Sequence, residues 1–215
     1  MNHGYHKTRL QFDGKRKVVW GALWRFYFRK LIRISDTVVD LGSGYGDFIN
    51  SVEAKCRIAV DIWPKMKEHI DPGVNCITSN LDNLDFLEDA SVDFVMASNL
   101  FEHLTREHLT DLLAQLLAKL KAGGRLTVIQ PNYRYAYKEY FDDYTHISVY
   151  SHVSMIDLLE SLGYLIEVIE PRFLPLTVKS RLPINPLIIW VYLQLPFRPM
   201  GKQMLIIARK PGGVR

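Results

Sequence analysis

The amino-acid sequence predicts an α/β fold with helices on both faces of a mostly parallel sheet of seven strands. Short β-branched runs alternate with helical or polar connections, and the first two runs flank a glycine-rich loop. The length of 215 residues suits one domain of this class. Apolar residues make up 48% and charged residues 23%, which is typical of globular proteins and excludes disordered, collagen-like and coiled-coil chains.

The amino-terminal part predicts a basic amphipathic helix over residues 15–33. Three arginines recur at intervals of four on one side of this helix, opposite aromatic and leucine side chains: Arg25, Arg29 and Arg33 against Trp20, Trp24, Tyr27 and Leu31. We therefore predict a helical segment over residues 1–33 that precedes a main domain over residues 34–210.

The first two predicted strands form a parallel βαβ unit. They cover Thr37–Leu41 and residues 57–60, and residues 46–53 between them leave room for one helix. A later helix begins at the N-cap Thr105 and ends at Gly123–Gly124. The remaining strands and the last major helix complete the alternation: strands over 75–78, 92–98, 126–130, 164–169 and 204–208, and a helix over 153–162.

The loop after the first strand has the composition of a ligand-binding turn. Gly42, Gly44 and Gly46 remove the Cβ atoms that would keep a ligand away from the backbone. Asp61 ends the second strand, 61 − 40 = 21 positions after Asp40, which is the spacing that brings a carboxylate to a ribose diol. The pattern predicts an adenosine-containing cofactor.

The glycine spacing differs from the Gly-x-Gly-x-x-Gly pattern of dinucleotide enzymes. Asp40, directly before the loop, would repel a pyrophosphate and attract an ammonium group. We therefore expect a cofactor that carries an amino acid.

These residues resemble the class I S-adenosylmethionine-dependent methyltransferases. Four segments carry the resemblance, in the order of that family: VVDLGSGYG (38–46), SNLDNLDF (79–86), VDFVMASNLFEHL (92–104) and LKAGGRLTV (120–128). The resemblance implies S-adenosylmethionine as cofactor and a Rossmann-like sheet of six parallel strands and a last antiparallel one.

The resemblance also implies roles for individual residues in cofactor binding. The loop from Asp40 to Gly46 would hold the methionine part, Asp61 the ribose, and Ile62 would pack on adenine. Asn80 replaces the aspartate that usually meets the adenine amino group, and its carbonyl oxygen can accept the same hydrogen bond. Leu81 and Asn99 complete the expected cofactor residues, Asn99 because it follows the fourth strand, where ligands of such sheets bind.

The loop over residues 132–146 is the expected acceptor site because it combines aromatic, acidic and basic side chains beyond the fifth strand. Asp143 and His146 could form a carboxylate-oriented imidazole that acts as general base, or His146 could merely tie the loop to the sheet. His103 is a second candidate base, although its Glu-His-Leu segment more often serves the start of a helix. No CxxC or HExxH spacing occurs, so the sequence does not predict a protein-bound metal.

The leading functional hypothesis is O-methylation of a small molecule such as a sugar or a lipid-linked acceptor. A catalytically silent cofactor-binding module and an NAD(P)-dependent oxidoreductase are the alternatives. A net charge of +4 gives little reason to expect a nucleic-acid partner.

An apolar insertion over residues 171–199 lies between the last two predicted strands. Its core, residues 183–197, carries Trp190 and Tyr192, and basic side chains flank it: Lys179, Arg181, Arg198 and Lys202. This composition fits a lid, a homodimer contact or a patch on an anionic membrane. With two cysteines and no apolar leader over residues 1–17, we expect a cytoplasmic protein, with peripheral contact at the inner membrane face if the membrane interpretation holds.

Overall fold

The seven expected strands form one sheet in the computed structural model, which describes residues 12–176 and 184–212. The strands are β1 (Thr37–Leu41), β2 (Cys56–Asp61), β3 (Asn75–Thr78), β4 (Val92–Ser98), β5 (Leu120–Pro131), β6 (Leu165–Pro175) and β7 (Gly201–Arg209). Their order is β3-β2-β1-β4-β5-β7-β6, and β7 runs antiparallel to both of its neighbours. The predicted fold class, with six strands in one direction and the last reversed, is confirmed.

The described residues contain five α-helices, the first of which precedes the sheet. They are α1 (Gly14–Phe26), α2 (Arg106–Lys119), the single turn α3 (Tyr133–Ala136), α4 (His152–Ser161) and α5 (Pro186–Gln194). The side chain of Thr105 accepts a hydrogen bond from the His108 amide and thereby caps α2, as predicted. Among the described residues, no helix has the length and apolar character needed to cross a membrane.

The sheet separates two apolar cores. Val39 and Leu41 contribute to the core shared with α2 and α4, whereas Val38 contributes to the core shared with α1 and α5. This alternation is the two-residue period of a strand that is covered on both faces.

The helix predicted over residues 15–33 is wrong in its extent. α1 ends at Phe26, and a separate 3-10 turn covers Phe28–Lys30. Phe28 is fully buried against Phe48 and Phe94, and this contact requires the backbone to leave the helix at Tyr27. Arg25 belongs to α1, while Arg29 and Arg33 follow it, and all three remain exposed.

The helix predicted over residues 46–53 is also wrong, because this segment forms only the 3-10 turn Ile49–Ser51. Phe48 and Ile49 must both enter the core, and Val52 then adopts extended backbone toward β2. One turn is all that this short crossover accommodates.

The expected helix stop at Gly123–Gly124 lies four residues beyond the end of α2, within β5. A Cβ on Gly124 would lie 2.9 Å from the carbonyl oxygens of both Lys121 and Val92. This glycine therefore allows close strand contact rather than ending the helix. β6 extends to Pro175, so residues 171–175 of the predicted insertion belong to the sheet.

The three loop glycines all adopt left-handed backbone, with φ values of +68° at Gly42, +53° at Gly44 and +72° at Gly46. A Cβ on Gly46 would also clash with Cδ1 of Ile70. Only glycine adopts this conformation at little cost, so the loop depends on these residues.

We expect Gly46→Ala to lower the free energy of unfolding by about 1–2 kcal/mol, because alanine is strained in left-handed backbone. Gly21→Ala is the matched control: Gly21 lies inside α1, where an added Cβ would have no atom within 4 Å, and alanine there should stabilise by up to about 1 kcal/mol. Urea denaturation of both variants measures the difference. Equal changes in the two variants would contradict the assigned role of the loop.

Candidate functional site

A cleft of about 430 Å³ opens where the carboxyl ends of β1, β2, β3 and β4 meet. All of the predicted cofactor residues except Gly46 line it: Asp40, Gly42, Gly44, Asp61, Ile62, Asn80, Leu81 and Asn99. Gly46 instead lies behind the loop against Ile70 and Asn50. The structure thus brings residues from four separate loops to one concave surface.

The Asp61 carboxylate connects the glycine loop to the turn that follows β2. One of its oxygens accepts a hydrogen bond from the Gly44 amide at 2.8 Å, and the other accepts one from the Trp63 amide at 2.8 Å. The amides of Gly42 and Ser43 donate to the Val60 carbonyl in the same place. These bonds fix the shape of the cleft floor.

Asp40 places a second carboxylate under the loop. It is 3% exposed, and its burial, followed by the nearby charge of Asp61, raises its pKa well above the usual value. A positively charged ligand group beside Asp40 would stabilise its ionised form.

Two non-glycine residues of the cleft adopt left-handed backbone. They are Leu81, with φ of +67°, and Asn99, with φ of +50°. The Asn99 side chain accepts a hydrogen bond from Gln203 of β7 at 3.2 Å, so its orientation is set from across the sheet. The Asn80 side chain forms two hydrogen bonds with Asp82. Its amide nitrogen donates to the Asp82 carboxylate, and its carbonyl oxygen accepts from the Asp82 backbone amide at 3.2 Å.

Sequence reasoning missed the contribution of α1 to the cleft. Arg16 and Trp20 line it, and the Arg16 Nε atom lies 3.0 Å from the Asp47 carboxylate. The guanidinium also lies over the Tyr45 ring, and its Nη2 atom is buried without a hydrogen-bond partner among the described residues. A basic residue three positions after an N-cap gives no sequence signal for this role.

Aromatic rings form the outer wall of the cleft. Trp63 and Tyr45 make an edge-to-face contact with ring centroids 5.1 Å apart, and His69 stacks on Trp63. Such a wall offers flat apolar surfaces to a planar ligand group.

The segment after β4 supplies the inner end of the cleft. Phe101–His103 forms a 3-10 turn in which Glu102 is fully buried and His103 lines the cleft. The backbone amides of Ile147 and Ser148 donate to the Glu102 carbonyl at 2.9 and 3.1 Å. These bonds hold the 132–146 loop against the segment after β4.

Asp143 and His146 each form hydrogen bonds to other groups of the 132–146 loop. Asp143 accepts hydrogen bonds from the amide and the hydroxyl of Thr145, at 3.0 and 2.6 Å. The His146 Nδ1 atom instead lies 2.6 Å from the Tyr140 carbonyl, which sets the orientation of that ring. Spacing along the chain could not show that the Asp143 side chain turns back to its own loop.

Asp143 orients His103 instead, through Thr145. The Nδ1 atom of His103 lies 3.0 Å from the Thr145 hydroxyl, whose hydrogen is given to Asp143. The ring of His103 also lies beside that of His146, with centroids 4.9 Å apart. All three predicted catalytic residues therefore meet at the inner end of the cleft, in a different arrangement from the one expected.

Burial changes the acid–base properties of this group. It raises the pKa of Glu102 to about 8, with a further contribution from the charge of Asp143, and it lowers the pKa of His103. Neither carboxylate oxygen of Glu102 has a hydrogen-bond partner among the described residues. Glu102 was not a predicted site residue.

The described part of the 171–199 insertion stands apart from this cleft. Leu193 and Ile189 of α5 pack into the core shared with α1, and no described residue of α5 lines the cleft. Four of its large side chains are exposed, namely Leu187, Ile188, Trp190 and Val191, whereas Tyr192 is half-buried. The flanking Lys179 and Arg181, and Pro183 of the predicted apolar core, lie outside the described residues.

Comparison with known proteins agrees with the geometry of the cleft. Residues 12–167 match the family described as "Methyltransferase domain". A search of curated proteins finds no significant match.

Solved structures extend this similarity over most of the chain. An S-adenosylmethionine-dependent methyltransferase from Archaeoglobus fulgidus is 27% identical, with 96% of this chain and 97% of that chain covered and a TM-score of 0.68. One from Mesorhizobium loti is 17% identical, covering 87% and 97% at a TM-score of 0.63. A geranyl diphosphate methyltransferase in complex with S-adenosylmethionine is 18% identical, covering 88% and 85% at a TM-score of 0.64. The last two share the fold.

Proposed function

This chain belongs to the class I S-adenosylmethionine-dependent methyltransferases, and we propose that it methylates a hydroxyl oxygen of a sugar or lipid-linked small molecule. S-adenosylmethionine, when bound, supplies an electrophilic methyl group on its sulfonium. The residues of this chain therefore have to bind the cofactor, orient the acceptor and accept a proton from it. Membership of this family favours a methyltransferase over the nicotinamide-dependent alternative.

The cleft residues fit the parts of the cofactor. We assign Asp61 to the ribose hydroxyls, and Ile62 with the aromatic wall to adenine. The buried carboxylate of Asp40 suits the ammonium group. The Nη2 atom of Arg16, buried and without a described partner, suits the carboxylate of the methionine part.

We expect Asp61→Asn to bind S-adenosylmethionine about tenfold to a hundredfold more weakly than the parent. The reason is that a charge-assisted hydrogen bond contributes roughly 1.5–3 kcal/mol. Isothermal titration calorimetry measures the affinity. Asp157→Asn, at an exposed position of α4, is the matched control and should bind as the parent does. Parent-like affinity of Asp61→Asn would refute the assignment.

The loop over residues 132–146 supports the acceptor proposal. It lies against the inner end of the cleft and exposes three aromatic side chains, Tyr137, Phe141 and Tyr144. Aromatic faces beside polar groups suit a sugar ring or the first carbons of a lipid chain. This arrangement is the single observation that carries the proposed acceptor class.

We assign the activation of the acceptor hydroxyl to the cluster of His103, His146 and Glu102. His103 lines the cleft, and Asp143 acts through Thr145 as a positioning residue for its ring. Because Nδ1 of His103 faces Thr145, the opposite ring nitrogen, Nε2, is the one that would serve the acceptor.

A screen of sugar and lipid-linked alcohols for methyl transfer tests this assignment. We expect His103→Ala to lower kcat by about a hundredfold or more, in the range for loss of acid–base assistance, and to leave cofactor affinity unchanged. Asp143→Asn should cause a smaller loss. Asp157→Asn, at an exposed position of α4, should retain activity. Full activity in both His103→Ala and Asp143→Asn would remove the cluster from the mechanism.

We further propose that the exposed face of α5 contacts a lipid surface. Arg172 lies over the rings of both Tyr135 and Phe197, at 5.1 and 4.6 Å, and so joins the segment after α5 to the acceptor loop. Two of the basic side chains expected to face a membrane form internal ion pairs instead: Arg198 with Glu170, and Lys202 with Glu139. Any attraction to lipid therefore depends mainly on the apolar side chains.

Flotation with vesicles that contain anionic phospholipid tests the α5 proposal. We expect the parent to float with the vesicles at low and moderate salt, and Trp190→Asp to remain in the soluble fraction, because a charge at the membrane surface opposes insertion. Ile34→Asp is the control, at a residue that is 76% exposed and far from α5 in sequence. If the parent stays in the soluble fraction and sediments as a dimer, the proposal is wrong. The exposed face of α5 would then be the contact between two copies of the chain.

A further inference from the structure

The inner end of the cleft contains a group of side chains with the composition of a metal site. Glu102, His103 and His146 each offer one ligand atom, and these three atoms lie within 4.8 Å of one another. The side chain of Glu102 is fully buried, and neither of its oxygens has a hydrogen-bond partner among the described residues. A buried carboxylate without donors is costly unless a cation or a proton accompanies it.

Hydrogen bonds determine which nitrogen of each imidazole carries a proton. The His146 Nδ1 atom faces the Tyr140 carbonyl at 2.6 Å, and a carbonyl can only accept, so Nδ1 is the protonated nitrogen. The His103 Nδ1 atom faces the Thr145 carbonyl at 3.2 Å and a hydroxyl that has already given its hydrogen to Asp143. Nδ1 is therefore the donor in both neutral rings.

It follows that the Nε2 atoms carry the lone pairs of both rings. The His146 Nε2 atom lies 4.0 Å from a Glu102 oxygen, which is too far for a hydrogen bond. Metal-binding histidines have the same arrangement: one nitrogen donates to a backbone carbonyl and thereby directs the lone pair of the other toward the ion.

We propose that Glu102, His103 and His146 bind a divalent first-row transition-metal cation. With bonds of about 2.0–2.2 Å, the ligand atoms of a tetrahedral site lie about 3.4 Å apart. The observed separations, of up to 4.8 Å, exceed this value, so binding would draw the three side chains toward the ion. Two imidazoles and one carboxylate suit zinc, cobalt, nickel or ferrous iron, whereas magnesium and calcium prefer oxygen ligands.

The position of the site relates it to methyl transfer. His103 lines the cleft, so a cation held by three protein ligands would have an open position on that side. A hydroxyl oxygen of the acceptor fits this position, where the cation would lower the pKa of that hydroxyl in place of direct proton transfer to His103 Nε2. This last step rests on the proposed function, whereas cation binding does not.

The test is titration of chelator-treated, full-length protein with cobalt(II), followed by visible absorption. We expect one equivalent to bind, a d–d band to appear and zinc(II) to abolish that band. Loss of a group that merely supports a metal ligand weakens metal binding by about tenfold to a hundredfold. Because Glu102 and His146 would be ligands themselves, Glu102→Gln and His146→Gln should each weaken cobalt binding by more than this. His108→Gln is the control and should bind as the parent does, because its Nε2 atom faces the Leu81 carbonyl outside the cluster.

Failure of cobalt uptake by the folded parent would overturn the proposal, and so would unchanged uptake by both variants. Exclusive uptake of magnesium would also overturn it. If Glu102→Gln does not fold, His146→Gln decides the question, since its ring is closer to the surface. Calorimetric titration of the same samples with S-adenosylmethionine tests the proposed function separately, because cofactor binding does not require the cluster.

Discussion

The Asp61 carboxylate is the interaction on which the shape of the cleft depends. It joins the end of β2 to the glycine loop after β1 through the Gly44 amide, and to its own following turn through the Trp63 amide. The bond to the Gly44 amide depends on the left-handed backbone of that glycine, which an ordinary residue adopts only with strain. Burial, followed by the charge of this carboxylate, raises the pKa of Asp40, so the two acidic residues of the cleft are electrostatically coupled.

Much of the fold could be predicted because the signals are local. A β-branched run that ends in glycine identifies β1, and an acidic residue at the end of the next run identifies β2. Neither signal depends on the rest of the sequence. The extent of the first helix and the crossover at 46–53 could not be predicted, because burial of Phe28, Phe48 and Ile49 overrides helical preference there. Tertiary packing decides such boundaries.

The candidate site was predictable where its residues follow the ends of parallel strands. The predicted cofactor residues lie at strand ends, and strand ends converge in any parallel sheet. The group of Glu102, His103 and His146 combines two segments about forty positions apart, and no spacing rule addresses that separation. The orientation of His103 through Thr145 depends on which way a hydroxyl turns, a property that only the folded chain defines.

The contribution of α1 to the cleft has a consequence for how the amino terminus behaves. Arg16 and Trp20 precede every strand of the sheet, yet they form one wall of the cleft, and Arg16 is held there by Asp47. If a bound ligand contacts this wall, ligand occupancy and attachment of α1 to the sheet are linked equilibria, and each favours the other by the same free energy. Any interaction that moves α1 away from the sheet would then weaken binding of the ligand.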